Sequence, residues 1–172
     1  MLSITVYGTP QSRGSKSPWV PRDRDGNPLC KNGRIQIIVR DANPKSGPWM
    51  KKVAAVARLA MGDDAPIAGP VCLGVRCFFR RPKCHYRAGR YSAKLKASAP
   101  RFHIQKPDAS KLIRAIEDAL TGVVYVDDSQ IVRYVPGTVK EWTEAEERAE
   151  IRVVALEDRP LFKEAAKAAG GE

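Results

Sequence analysis

Leu2, Ile4 and Val6 alternate with Ser3, Thr5 and Tyr7 until Gly8 and Pro10 break the pattern, so the chain opens on a strand with one apolar face. From Gln11 to Pro48 the sequence is crowded with Gly, Pro, Ser, Asn, Lys and Arg, which predicts a long loop. One apolar run inside it, Ile35 to Val39, suits a strand or a hairpin arm. Pro48 stands where the first position of a helix tolerates proline, and Trp49, Val53, Val56, Ala57 and Ala60 recur at helical spacing as far as Gly62. Beyond Asp63, Asp64 and Pro66, the residues Val71, Leu73, Val75, Cys77 and Phe79 share one face of a second strand that ends in Arg80-Arg81.

Residues 82 to 100 form a second polar loop, and Phe102 with Ile104 predicts a short strand after it. Pro107 stops any earlier helix, after which Leu112, Ala115, Ile116, Ala119 and Leu120 give the stripe of an amphipathic helix closed by Gly122. Short strands are expected at 123 to 126, 131 to 135, 138 to 142 and 151 to 156, with a bend at Pro136-Gly137 and an acidic segment from Glu144 to Glu150. Strands interspersed with two helices predict an α/β or α+β sheet covered by helices. The length suits one domain, expected over 1–158 with basic loops at about 11–48 and 82–100, followed by a helical or frayed C-terminal tail at 159–172.

Composition adds little until the charges are placed. The 172 residues are 43% hydrophobic and 28% charged, as in a soluble globular protein. No apolar run approaches the roughly 20 residues of a membrane helix, and the N-terminus lacks a basic stretch followed by a long apolar one, so a cytoplasmic protein without a membrane partner is expected. The net charge of +11 is unevenly spread. Residues 1 to 64 hold eleven Lys or Arg against five acids, residues 65 to 107 hold ten against none, and residues 108 to 172 hold nine against fourteen. A segment with no acid of its own fits a polyanion. In the loop 82–100, Lys83, Arg87, Arg90, Lys94 and Lys96 are interleaved with Tyr86 and Tyr91, a composition suited to phosphate contacts and stacking on an exposed base. Cys30, Cys72, Cys77 and Cys84 contain no C-x-x-C pair, and structural or solvent-shielded thiols in a reducing compartment are expected.

The acids gather where the chemistry would be. Asp108 precedes the second helix, while Asp127 and Asp128 end the segment after it, so a helix folding back can bring the two groups together. Carboxylates in a basic protein call for a cation, and a hard ion such as Mg²⁺ takes one or two carboxylates together with water and phosphate oxygens. Each acid also has a plain structural use, Asp108 as a helix N-cap and Asp127-Asp128 as a solvated turn. Lys111 and Arg114 follow Asp108 on the helix and can meet a phosphate, although Arg114 and Asp118 are also spaced for an ion pair. His103, five residues before Asp108, reads as a surface histidine on a strand, with a supporting or phosphate-contacting role as the alternative.

The run Lys106-Pro107-Asp108-x-x-Lys111-Leu112-x-Arg114-Ala115-x-x-Asp118-Ala119-Leu120-x-Gly122-Val123-x-Tyr125-x-Asp127-Asp128-Ser129-Gln130-Ile131-Val132 resembles the core of the RusA-like Holliday junction resolvases, small endonucleases common in phages and prophages. Weaker features extend the likeness: Gly8-x-Pro10, Gly14-Ser15-Lys16, Arg81-Pro82 and Lys140. The resemblance implies a homodimer with a single mixed sheet and two main helices that cuts four-way DNA junctions symmetrically with Mg²⁺ or Mn²⁺, in recombination and repair. It places the catalytic and metal-binding acids on Asp108, Asp128 and the adjacent Asp127, and the helix base on Arg114. DNA contacts are then expected from Lys16, Arg81, Lys83, Arg87, Arg90, Lys94, Lys96, Lys106, Lys111 and Lys140, with Ser110 and His103 in support. One departure stands out: the family pattern often carries a second acid two residues after the first, where this chain has Ser110, which brings no negative charge. A non-cleaving branched-DNA-binding accessory protein is therefore the rival expectation. A general RNA- or polyanion-binding module is the third, and it leaves the acids unexplained.

Overall fold

A computed structural model describes residues 1–157 apart from Thr138, so the tail expected at 159–172 lies outside the described residues. The order of elements is β1 (Leu2–Tyr7), β2 (Lys16–Trp19), β3 (Cys30–Lys31), β4 (Arg34–Ile35), β5 (Ile38–Asp41), α1 (Ser46–Met61), β6 (Val71–Arg80), α2 (Ala109–Leu120), β7 (Ile131–Tyr134), β8 (Val139–Thr143) and β9 (Arg148–Ala155). The result is the expected α+β architecture, a mixed five-stranded sheet with two helices, to which two small two-stranded ribbons are added.

β6 organises the sheet. Antiparallel β9 lies on one side of it, with β1 beyond, while the other side is shared by β7 along its first half and β8 along its second, both parallel to β6. A parallel neighbour needs a crossover, and α2 supplies it between β6 and β7. Ten residues of β6 read almost wholly apolar because both of its faces are covered. Val71, Leu73, Val75, Cys77 and Phe79 belong to the core with the helices, as their alternation predicts. On the other face Phe78 is roofed by Arg148 at 4.0 Å and Arg76 at 4.9 Å.

α1 buries Ser46, Trp49, Val53 and Ala57, and α2 buries Leu112, Ala115, Ile116, Ala119 and Leu120. Each large apolar side chain buried this way contributes about 1.5–3 kcal/mol relative to leaving it in water. Burial of Trp49 removes it from any outward-facing contact surface.

Several elements differ from expectation, each for a local reason. α1 starts at Ser46 rather than at Pro48, which still lies in the first turn where a missing N–H costs nothing. The apolar run 35 to 39 is split between β4 and β5. The β3–β4 ribbon turns on Asn32 (φ 52°) and Gly33 (φ 71°), the positive pair that a tight hairpin requires. Residues 123 to 126 form a turn rather than a strand: the amides of Val123 and Val124 return to the Leu120 carbonyl, and only Tyr125 makes single bridges, to Ile67 and Thr121. Phe102 makes one bridge to Glu141 in place of a strand through Ile104. β9 begins at Arg148, inside the segment expected to be merely acidic, and Glu150 sits opposite Thr5 and Arg76 there. Cys72 and Cys77 are buried free thiols, with Cys77 pushed up to about 12 by burial, but Cys30 and Cys84 are exposed rather than shielded.

Leu73 and Ile116 have no exposed surface. Leu73→Ala and Ile116→Ala should each lower the unfolding free energy by about 2–5 kcal/mol, read from the urea midpoint.

Candidate active site

The start of α2 is held from outside the helix. Lys140 on β8 donates from Nζ to the carbonyls of Gln105 (2.5 Å) and Pro107 (2.6 Å), fixing the chain just before Asp108. The ammonium expected to meet DNA is thus committed to backbone oxygens, and Lys140 positions the helix entrance. Asp108 has the extended backbone of an N-cap (φ −67°, ψ 140°), yet its carboxylate makes no capping bond. That carboxylate is 56% exposed and its neighbour is Lys111 Nζ at 3.5 Å. It lines a hollow of about 360 Å³ with Ser12, Lys106, Pro107 and Lys111. An acid at a cap position that does not cap is available to a cation or to water.

Asp127 behaves in the opposite way. It caps the single 3₁₀ turn 128–130, its carboxylate accepting from the Ser129 amide (3.0 Å) while its own amide donates to Gln130 Oε1 (2.8 Å). These bonds from Ser129 hold its carboxyl below the usual carboxylate range. Gln130 Nε2 in turn donates to the carbonyls of Ile67 (2.9 Å) and Gly69 (2.8 Å), which pins the turn beside the entry to β6. Asp128 is left exposed at the head of this anchored turn. Two tyrosines tie the same segment to α2: Tyr125 donates to the Glu117 carbonyl (3.1 Å) and Tyr134 donates to the Glu117 carboxylate. Burial first, then the bond to Glu117, pushes Tyr134 up to about 12, and Tyr125 is raised by burial and by Glu117 and Asp128, so both hydroxyls remain donors at neutral pH.

Among the described residues no three or more His, Cys, Asp or Glu side chains gather as a cation site, so Asp108, Asp127 and Asp128 are not assembled as one three-carboxylate cluster. Ser110, two residues after Asp108, is exposed in the first turn of α2. The donors present, exposed carboxylates at Asp108 and Asp128, still suit a hard, largely water-ligated ion such as Mg²⁺, which uses one or two protein carboxylates.

The Arg114–Asp118 ion pair that the spacing allows as an alternative is absent among the described residues: Asp118 is taken by Arg13 at 3.2 Å. Arg114, exposed, instead lines a cleft of about 500 Å³ with Arg13, Gly14, Ser15, Lys16, Lys111 and Asp118. The N-terminal loop therefore forms one wall of the site, which spacing along the chain does not reveal. The long loop 82–100 carries Lys83, Arg87, Arg90, Lys94 and Lys96 outward, with Arg90 and Lys94 over the Tyr91 ring at 4.8 and 5.7 Å. It is bridged at Tyr86 and Leu95. Arg81 donates to the Pro100 carbonyl (2.6 Å) across its base.

His103 is buried, not a surface residue. It sits between Phe79 and Trp142, with ring centroids 4.3 and 4.1 Å away. This enclosure, with Lys140 nearby, lowers its pKa and removes it from phosphate contact. A lowered folded-state pKa means the unfolded chain binds the proton more readily. The stabilising effect is complete above about 6.5 and is lost as pH falls below that value. Wild-type protein should thus lose urea resistance between pH 7.5 and 5.5, and His103→Gln should flatten that slope.

A family model described as Endodeoxyribonuclease RusA matches residues 27–154, about three quarters of the chain. The chain is also similar to a protein of Bacillus subtilis (strain 168) described as "Uncharacterized protein YqaN", 28% identical over 131 residues, which covers 76% of this chain and 82% of that one. The family match takes in α2, the anchored turn and the loop 82–100, and starts after the loop that carries Arg13.

Proposed function

The chain belongs to the RusA endodeoxyribonuclease family, and from that premise we propose that it resolves four-way DNA junctions by metal-dependent hydrolysis of two phosphodiesters. The observation that carries this reading is the uncapped, exposed Asp108 carboxylate, which lines a hollow with Lys106 and Lys111, Lys111 also bordering the adjoining cleft that holds Lys16 and Arg114. Acid and base then lie side by side, as hydrolysis of an anionic backbone needs. Asp108 and Asp128 would hold Mg²⁺ or Mn²⁺, which when bound supplies an acidified water and charge neutralisation at the phosphate. Asp127 keeps Asp128 in place by capping its turn. Lys111 and Arg114 draw the phosphate toward Asp108, and Arg114 offers a two-pronged donor to its oxygens. Lys83, Arg87, Arg90, Lys94 and Lys96 extend the basic surface along the DNA away from the cleavage point.

Two strands must be cut and each chain has one site, so the acting form in this reading is a two-fold dimer. Exposed Trp19, Ile35, Ile37, Ile38 and Val39 on and between the ribbons offer apolar surface for it. Sedimentation equilibrium at micromolar concentration should give about twice the 19.0 kDa chain mass; a species that remains a monomer on junction DNA would exclude paired cutting.

Ser110 in place of an acid favours a second reading, a branched-DNA-binding protein that no longer cuts. One experiment separates the two. With Mg²⁺, wild-type protein should convert a synthetic four-way junction to paired nicked duplexes and leave linear duplex intact. Asp108→Asn and Asp128→Asn should abolish cutting while junction binding stays equal or tighter, because metal charge is removed and phosphate contacts are kept. Tight junction binding by the wild type without product at any Mg²⁺ or Mn²⁺ concentration would establish the accessory reading.

A further inference from the structure

The loop 11–15 lies outside the family match and is built into the site by an unusual number of ties. Its Arg13 amide donates to the Lys111 carbonyl on α2 (2.9 Å). The Arg13 guanidinium lies 3.2 Å from Asp118 on α2 and 3.7 Å from Asp41 at the end of β5, and its Nη1 reaches Met50 Sδ on α1 (3.1 Å). On the other side of the loop, Asn43 Nδ2 donates to the Ser12 carbonyl (2.9 Å) and the Ala42 amide donates to the Ser15 carbonyl (3.0 Å). Gly14 fits only because it has no side chain: a Cβ there would meet the Asp41 carboxylate and come within 2.6 Å of the Asn43 amide nitrogen. One arginine thus joins the ribbon end, α1 and α2 through a loop that has no slack.

The charges say what this junction is for. Asp41 and Asp118 are about three quarters buried at 28% and 24% exposure; Asp118 lines a cleft whose other walls include Lys16, Lys111 and Arg114, and Asp41 lies beside Arg13 and Gly14, which also line it. Left uncompensated, these carboxylates would repel a phosphate in the cleft. Arg13, itself only 32% exposed, is turned toward them. Lys111 borders both this cleft and the hollow at Asp108, so the two spaces adjoin.

We propose that Arg13 is a positioning residue for DNA cleavage, masking Asp41 and Asp118 and holding the loop 11–15 against α2 so that Lys16, Lys111 and Arg114 grip the DNA phosphate next to the one cut. This rests on the reading of the chain as a DNA nuclease. Arg13 builds the phosphate seat and makes no contact with the phosphate itself.

The test measures binding of four-way junctions that carry a single uncharged methylphosphonate at successive positions, in EDTA so that nothing is cut. With wild-type protein, one position flanking the cleavage point should weaken binding on the order of tenfold. Arg13→Ala should bind the unmodified junction less well and lose that position-specific penalty, with the other positions unchanged. Adding Asp118→Asn to Arg13→Ala should restore much of the binding, since the repelling charge is gone. Gly14→Ala, which displaces the loop without changing charge, should copy Arg13→Ala, and it carries the test if Arg13→Ala does not fold. Absence of rescue by Asp118→Asn would make Arg13 a direct phosphate contact. An unaltered penalty profile in Arg13→Ala or Gly14→Ala would remove the loop from the site. Either result overturns the proposal while leaving the nuclease reading in place, whereas wild-type protein that binds no junction DNA overturns both.

Discussion

Burial of Leu112, Ile116 and Leu120 of α2 against the core face of the sheet is the constraint from which the site follows. It fixes the rotation of the helix, so that Ala115 and Ala119 are buried with them while Asp108, Ser110, Lys111 and Arg114 face outward. Hydrophobic burial alone sets this rotation but leaves the helix free to slide or tilt by small amounts. Polar ties at both ends complete the placement. Lys140 grips the backbone before the first turn, and Tyr125 and Tyr134 bind Glu117 near the last. A nuclease must hold a carboxylate and a phosphate within tenths of an ångström, and rigid elements with such supports achieve this better than loops.

The electrostatic organisation follows from the same scaffold. In a chain with thirty bases and nineteen acids, four carboxylates among the described residues are paired with arginines. Asp41 and Asp118 pair with Arg13, Glu141 with Arg76 and Arg101, and Glu150 with Arg76 and Arg148. These pairs are partly exposed, so their worth to stability is small. Their larger effect is to cancel acids that would otherwise repel DNA. Asp108, beside Lys111, and Asp128 are among the exposed acids that no arginine neutralises, and both are open to a cation.

The element pattern was legible because it rests on local periodicity. The alternation in β1 and β6 and the 3.6-residue stripe in α2 each survive in the structure, since a half-buried strand or helix has to show one apolar face whatever it packs against. The failures are equally physical. Val123 to Val126 has strand-like composition, but the helix end captures the amides of Val123 and Val124 before they reach a sheet. His103 is polar in sequence and buried in fact, because Phe79 and Trp142, which enclose it, lie 24 and 39 positions away. The Asn32-Gly33 hairpin was signalled by its residues and hidden within a stretch that otherwise reads as loop.

By itself, the sequence determined which residues are candidates for chemistry: Asp108 and Asp128 flank a helix bearing Lys111 and Arg114, and Ser110 occupies the place of an acid, all within one contiguous run. Only the tertiary structure decided how they are used. Asp108 stands at a cap position without capping and lies beside Lys111, and Asp127 is engaged as a cap. Lys140 supports the backbone carbonyls before α2, and Asp118 turns from Arg114 to Arg13, more than a hundred positions earlier. Those outcomes depend on distances between segments remote along the chain. Spacing can bring residues to one face of a helix, but it carries no information about which distant charge will reach them first.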